Sequence, residues 1–119
     1  MSLNLKKITA EFYRASSGKE PVREWLKELL ENDRKTIGKD IATVEYSWPI
    51  GMPLCRPMRG GLFEVRSNLA GNRISRVLFV NVRTRMVLLH GFIKKTQETT
   101  PRDLRLAEKR MKEVLDHER

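Results

Sequence analysis

A change of hydrophobic period near the middle of the chain limits its fold more than any other feature. Between Pro21 and Pro49 the apolar residues recur at spacings of three and four, whereas beyond Gly61 they alternate in twos or run continuously. A segment patterned for one period cannot bury its apolar face in the other geometry, so a helical part must be followed by a β part. The stretch between them, Pro49 to Gly61, holds three prolines and three glycines, which interrupt both patterns, and it reads as a loop.

Around that boundary the elements follow from local signals. Residues 3–14, with Leu3, Leu5, Ile8, Phe12 and Tyr13 among polar neighbours, predict a first strand ended by Ser16-Ser17-Gly18. Pro21 suits the first turn of a helix whose apolar face is Val22, Trp25, Leu26, Leu29 and Leu30. Asp33 is expected to cap a second helix carrying Ile37, Ile41, Val44 and Trp48, stopped by Pro49. Three strands are then predicted, Leu62 to Leu69, Ile74 to Val82 and Met86 to Lys94, with turns at Ala70-Gly71-Asn72 and at Arg83 to Arg85. The run Val77 to Val80 is apolar on both faces, as a central strand requires. Period two aligns Arg76 with Leu78 and Val80, and His90 with Leu88, Phe92 and Lys94; register between strands does not follow from it.

Thr100-Pro101-Arg102-Asp103 is close to a capping box, and the helix after it presents Leu104, Ala107, Met111, Val114 and Leu115 on one side. The plan is therefore β-α-α-β-β-β-α. It describes one α+β domain over residues 1–119, with a small, mostly antiparallel sheet and helices packed on one face.

Charge is distributed unevenly over this plan. In the 40 residues from Arg56 to Lys95, nine Lys or Arg against the single acid Glu64 give a net +8 of the chain's +9. Such concentration is the footprint of a polyanion binder. The lone Cys55 excludes an intramolecular disulfide and has no flanking base to make it a catalytic thiol. Two histidines in the whole chain and one acid in the basic segment leave no metal cluster, and no cofactor is expected. No run approaches a membrane span, and the opening MSLNLKKITAEF is too short and polar for a signal peptide, so a cytoplasmic protein with no membrane partner is expected.

The order of elements, the Pro-Val-x-x-Trp-Leu start at Pro21 to Leu26, the strand Gly61-Leu62-Phe63-Glu64-Val65-Arg66, and Leu89-His90-Gly91-Phe92-Ile93-Lys94-Lys95-Thr96 followed by a Thr-Pro-led helix together resemble the HigB-like, phage-related branch of the RelE/ParE toxin superfamily. The likeness covers nearly the whole chain. It implies a RelE-like fold and the toxin of a type II toxin-antitoxin pair, with a HigA-like helix-turn-helix antitoxin as partner. RelE- and HigB-type members cleave mRNA on the ribosome without a metal. ParE relatives on the same fold inhibit gyrase, so a gyrase inhibitor and an inactive basic RNA-binding module stand as alternatives.

Carried onto this sequence, the resemblance assigns site roles to the strand arginines Arg66 and Arg76 and to the basic pair Lys94 and Lys95. Many RelE-type nucleases also place a Tyr or His near the chain end, where this sequence has only His117. Metal-free cleavage needs a base for the 2′-hydroxyl, an acid for the leaving 5′-oxygen, and cations that favour the phosphorane. Arg66 and Arg76 suit the last role because a guanidinium clamps two phosphate oxygens. Lys94 or Lys95 could do the same as point charges, or shuttle a proton when crowded by cations. His90 is a candidate proton carrier or a hydrogen-bonded strand residue, and Glu64 a candidate base or an ion-pair partner that orients the cations. Arg56, Arg59, Arg73, Arg83 and Arg85 are expected to contact RNA phosphates. Trp25, Trp48, Phe63 and Phe92 read as packing residues.

Overall fold

Local signals and long-range pairing meet in the computed structural model, which describes residues 5–94 and 98–118. In chain order the elements are β1 (Thr9–Phe12), α1 (Pro21–Glu28), α2 (Glu31–Ser47), β2 (Cys55–Pro57), β3 (Leu62–Leu69), β4 (Arg73–Val82), β5 (Arg85–Lys94) and α3 (Pro101–His117). The strands form one mixed sheet in the order β1-β5-β4-β3-β2, with β1 parallel to β5 and the other neighbours antiparallel. The α+β class, the long hairpins and the three helices agree with the sequence pattern. Among the described residues no helix is long and apolar enough to cross a membrane.

The helices do not share one face of the sheet, as the sequence led us to expect. Ile37, Ile41 and Val44 of α2 and Val22 of α1 pack with Val65, Val77, Phe79, Met86 and Leu88 on one side. Ala107 and Met111 of α3 pack with Leu62, Leu78, Val80, Val87, Leu89 and Phe92 on the other. The physical reason lies in the central strands: β4 and β5 are apolar at consecutive positions, and both faces must then be covered. Trp25 and Trp48 are packing residues on the α1/α2 side, where Trp48 meets Phe63 edge-on at 4.8 Å.

Local expectations are corrected as well. The first strand is confined to Thr9–Phe12 among the described residues, and Leu3 lies outside them. The Pro49 to Gly61 stretch contains β2, a three-residue edge strand; Pro57 is tolerated there because an edge strand does not need every N–H. Asp33 does not cap α2. Leu30 occupies that place, and Asp33 sits in the first turn, where it accepts two hydrogen bonds from Arg73, at 2.8 and 3.0 Å. These bonds hold the Asp33 carboxyl below the usual carboxylate range. Leu115, expected on the buried side of α3, is exposed.

The β4–β5 ladder carries a bulge. Leu78 pairs with His90 but Phe79 pairs with Leu88, so Leu89 is the additional residue on β5. Beyond it the alternation changes phase. Leu88 points to the α1/α2 side while Leu89, His90 and Phe92 point to the α3 side, so His90 and Leu88 do not share a face. On the α1/α2 side Gly91 then lies under Trp25, whose ring carbons come within 2.4 to 2.9 Å of where a Cβ would be. Cys55 is buried, and burial pushes its thiol up to about 11, which agrees with an inert cysteine.

Candidate nucleic-acid interface

Residues directly opposite on neighbouring strands share a face, so the ladders decide which charged residues meet. Arg56 is opposite Glu64, Glu64 opposite Leu78 and Leu78 opposite His90. In the next row Arg66 faces Arg76, which faces Phe92, and in the row after that Ile74 faces Lys94. Leu78 and Phe92 belong to the α3 side. Arg56, Glu64, Arg66, Arg76, His90 and Lys94 therefore all lie on that side, at the end of the sheet where α3 begins.

Within this group exposure differs sharply. Arg56 is exposed, and Arg66 is half-buried with its Nη1 3.8 Å from Met52 Sδ. Arg76, expected to clamp phosphate, and Glu64, expected as a base or an ion-pair partner, are both 0% exposed and joined by a 2.5 Å ion pair. Glu64 also accepts a hydrogen bond from the Thr99 hydroxyl. The pair runs diagonally across β3 and β4 and places a carboxylate beside Arg76, the cation that directly opposes Arg66. Glu64 thereby offsets part of the repulsion between two guanidinium groups that face each other across the ladder.

A second carboxylate serves the other half of the group. Asp103, in the first turn of α3, lies 2.8 Å from His90 Nε2 through Oδ1 and 2.9 Å from Lys94 Nζ through Oδ2. Burial would raise its pKa, but hydrogen bonds from the Thr100 hydroxyl, His90 and Lys94 outweigh it and hold the carboxyl at about 2. Lys94 also lies 5.1 Å above the Phe92 ring. In the sequence Asp103 reads only as a capping acid. Its Thr-Pro-x-Asp setting was the available signal, but nothing local says that this helix start abuts the end of β5.

The remaining basic candidates are not gathered here. Arg73 is on the α1/α2 side, held by Asp33, because it is one residue out of phase with Ile74 and Arg76. Arg83 and Arg85 sit at the opposite end of the sheet, seven and nine residues from Arg76; Arg83 is thus roughly 23 Å away along the strand. Arg83 has φ +59° at the hairpin tip, and Arg85, which opens β5, is bound between Glu11 and Glu118. Arg59 is exposed but pairs with Glu108 of α3 at 3.1 Å. Lys95 lies outside the described residues. Among those residues, no three His, Cys, Asp or Glu side chains form a group that could hold a metal ion.

The corner thus presents the cations Arg56, Arg66 and Lys94, the Asp103 carboxylate and an imidazole on a face bordered by a helix N-terminus, with the Arg76–Glu64 pair buried behind them. Such a surface can take an extended anionic chain, with guanidinium groups to bind phosphate and an imidazole beside them. The family model described as phage derived protein Gp49-like matches residues 24–112 of the chain. Comparison with curated proteins gives no match.

Proposed function

The chain belongs to the Gp49-like family of phage-derived proteins, a family associated with toxins of the RelE/HigB type, and from that premise we propose that it is the toxin of a type II toxin-antitoxin pair acting as a ribosome-dependent, metal-independent mRNA endoribonuclease. The single observation that carries this reading is the convergence of Arg56, Arg66, His90 and Lys94 on one side of three adjacent ladders. Arg56 and Arg66 bind the phosphates flanking the cleaved bond, and Arg66 stabilises the added charge of the phosphorane. His90 carries the 2′-hydroxyl proton, and Lys94 supplies a point charge to the same phosphate. Buried Arg76 acts through Glu64 to set the field behind them rather than as a clamp. Lys95 is a further candidate phosphate contact. A HigA-like helix-turn-helix antitoxin is the proposed partner, neutralising the toxin by covering this basic corner or by blocking ribosome entry.

The test is tightly induced expression of the wild type beside Arg66→Ala, with mRNA 5′ ends mapped in both cultures. Growth arrest with new cleavages inside reading frames in the wild type alone is expected. Arrest with intact mRNA would transfer the assignment to a target such as gyrase, and RNA binding without arrest or product would leave only a binding module. Restoration of growth by a co-purifying helix-turn-helix protein tests the partner.

A further inference from the structure

Three side chains from two elements converge on one carboxylate. Asp103 Oδ1 is 2.8 Å from His90 Nε2, Oδ2 is 2.9 Å from Lys94 Nζ, and the Thr100 hydroxyl donates to Oδ2 at 2.5 Å. The arrangement is fixed from both sides. His90 and Lys94 are set by the β5 ladder past the bulge, and Asp103 by the helix start, where its own N–H donates to Thr100 Oγ1 at 3.2 Å. Its side chain is 16% exposed and that of His90 17%, so the contact is sheltered without being sealed from a substrate.

An ionised carboxylate only accepts hydrogen bonds, so the imidazole nitrogen facing it must donate. In neutral imidazole that leaves the other nitrogen with the lone pair, which selects one of two tautomers. We propose that Asp103 is the positioning residue of this site: it takes the Nε2–H of His90, leaving Nδ1 as the proton acceptor, and holds the Lys94 ammonium beside it. This rests on the nuclease reading above for its chemistry, though not for its geometry. In the step assigned to it, Nδ1 takes the proton of a 2′-hydroxyl as that oxygen forms its bond to phosphorus. The bond from phosphorus to the 5′-oxygen breaks, and the departing oxygen takes a proton from water. The resulting imidazolium, stabilised by Asp103, returns its proton to solvent. The carboxylate touches no reacting atom.

Two measurements decide the matter, one of them independent of any activity. In 15N-labelled protein, at a pH high enough to leave the imidazole neutral, long-range proton-nitrogen correlation reads which His90 nitrogen carries the proton, with His117→Gln used to assign the signals. We expect a single Nε2–H form in the wild type and in Thr100→Ala, which loosens the helix start but keeps the carboxylate, and mixed forms in Asp103→Asn. An Nδ1–H wild type, or an unchanged tautomer in folded Asp103→Asn, would overturn the proposal. In ribosome-dependent cleavage, Asp103→Asn should lower the rate roughly ten- to hundredfold in the wild type. Added to a His90→Ala, Lys94→Ala double variant, it should cost less than about threefold, because its effect passes through the imidazole and the ammonium. The full loss in both backgrounds would make Asp103 merely structural and sink the idea. A wild type that cleaves nothing overturns the nuclease reading instead, and the tautomer still decides the positioning.

Discussion

Arg76 carries its charge to a place where the side chain has no exposed surface, and of its guanidinium nitrogens only Nη1 has a partner among the described residues, the carboxylate of Glu64. Desolvating both ions is expensive, so the pair contributes little net stability, yet removing one member strands the other. Arg76→Met should therefore cost about 3 to 5 kcal/mol, because Glu64 remains buried without its cation. Glu64→Leu combined with Arg76→Met should recover most of that loss. Urea unfolding of the two variants beside the wild type checks it, and a double variant as unstable as the single one would contradict the account. Sequence alone could not separate Arg76 from Arg66: both lie in basic strand contexts, and the difference between a buried and a half-buried arginine depends on what covers each.

At the scale of the element, α3 is the piece that completes the basic corner. It is a 17-residue helix whose polar contacts run along its length. Asp103 reaches His90 and Lys94, Glu108 reaches Arg59, and Arg110 Nη1 donates to the Leu89 carbonyl at 2.8 Å, while Glu113 accepts from the Tyr13 hydroxyl. Its start was legible because Thr100, Pro101 and Asp103 are local signals, and the Thr100 side chain indeed caps the helix. The pH dependence of this anchor has a definite sign. Asp103 titrates at about 2 in the folded protein, below an unfolded value near 3.9, so its contribution of about 2 to 3 kcal/mol is complete above the unfolded value. It is lost as the pH falls from about 4 towards 2. The stability gap between wild type and Asp103→Asn, measured by urea midpoints, should therefore close over that range. Thr100→Ala should cost about 1 kcal/mol at neutral pH through the lost cap.

Over the whole molecule, the basic segment does not become one continuous patch. The pleat sends Arg73 to Asp33 on one side of the sheet and Arg56, Arg66 and Arg76 to the other, while the long β4–β5 hairpin carries Arg83 and Arg85 to the far end. Binding of single-stranded RNA should reflect this division. Arg56→Ala and Arg66→Ala should each flatten the dependence of log affinity on log salt by roughly 0.7. Arg83→Ala should leave the slope unchanged, and an equal effect at all three positions would argue for diffuse attraction by net charge.

The sequence by itself determined the period of each segment, the α+β class, the helix starts at Pro21 and Thr100, and the two hairpin turns. These depend on residues within a few positions of one another, where backbone geometry and capping act. Only the tertiary structure decided that helices cover both faces, that Pro57 belongs to an edge strand, that Arg76 is buried with Glu64, and that Asp103 meets His90. Each of these depends on register between distant strands or on the docking of a helix, and the single extra residue at Leu89 changes the phase of β5. Period alone cannot predict that insertion, since a bulge is set by how two strands fit together rather than by the pattern of either.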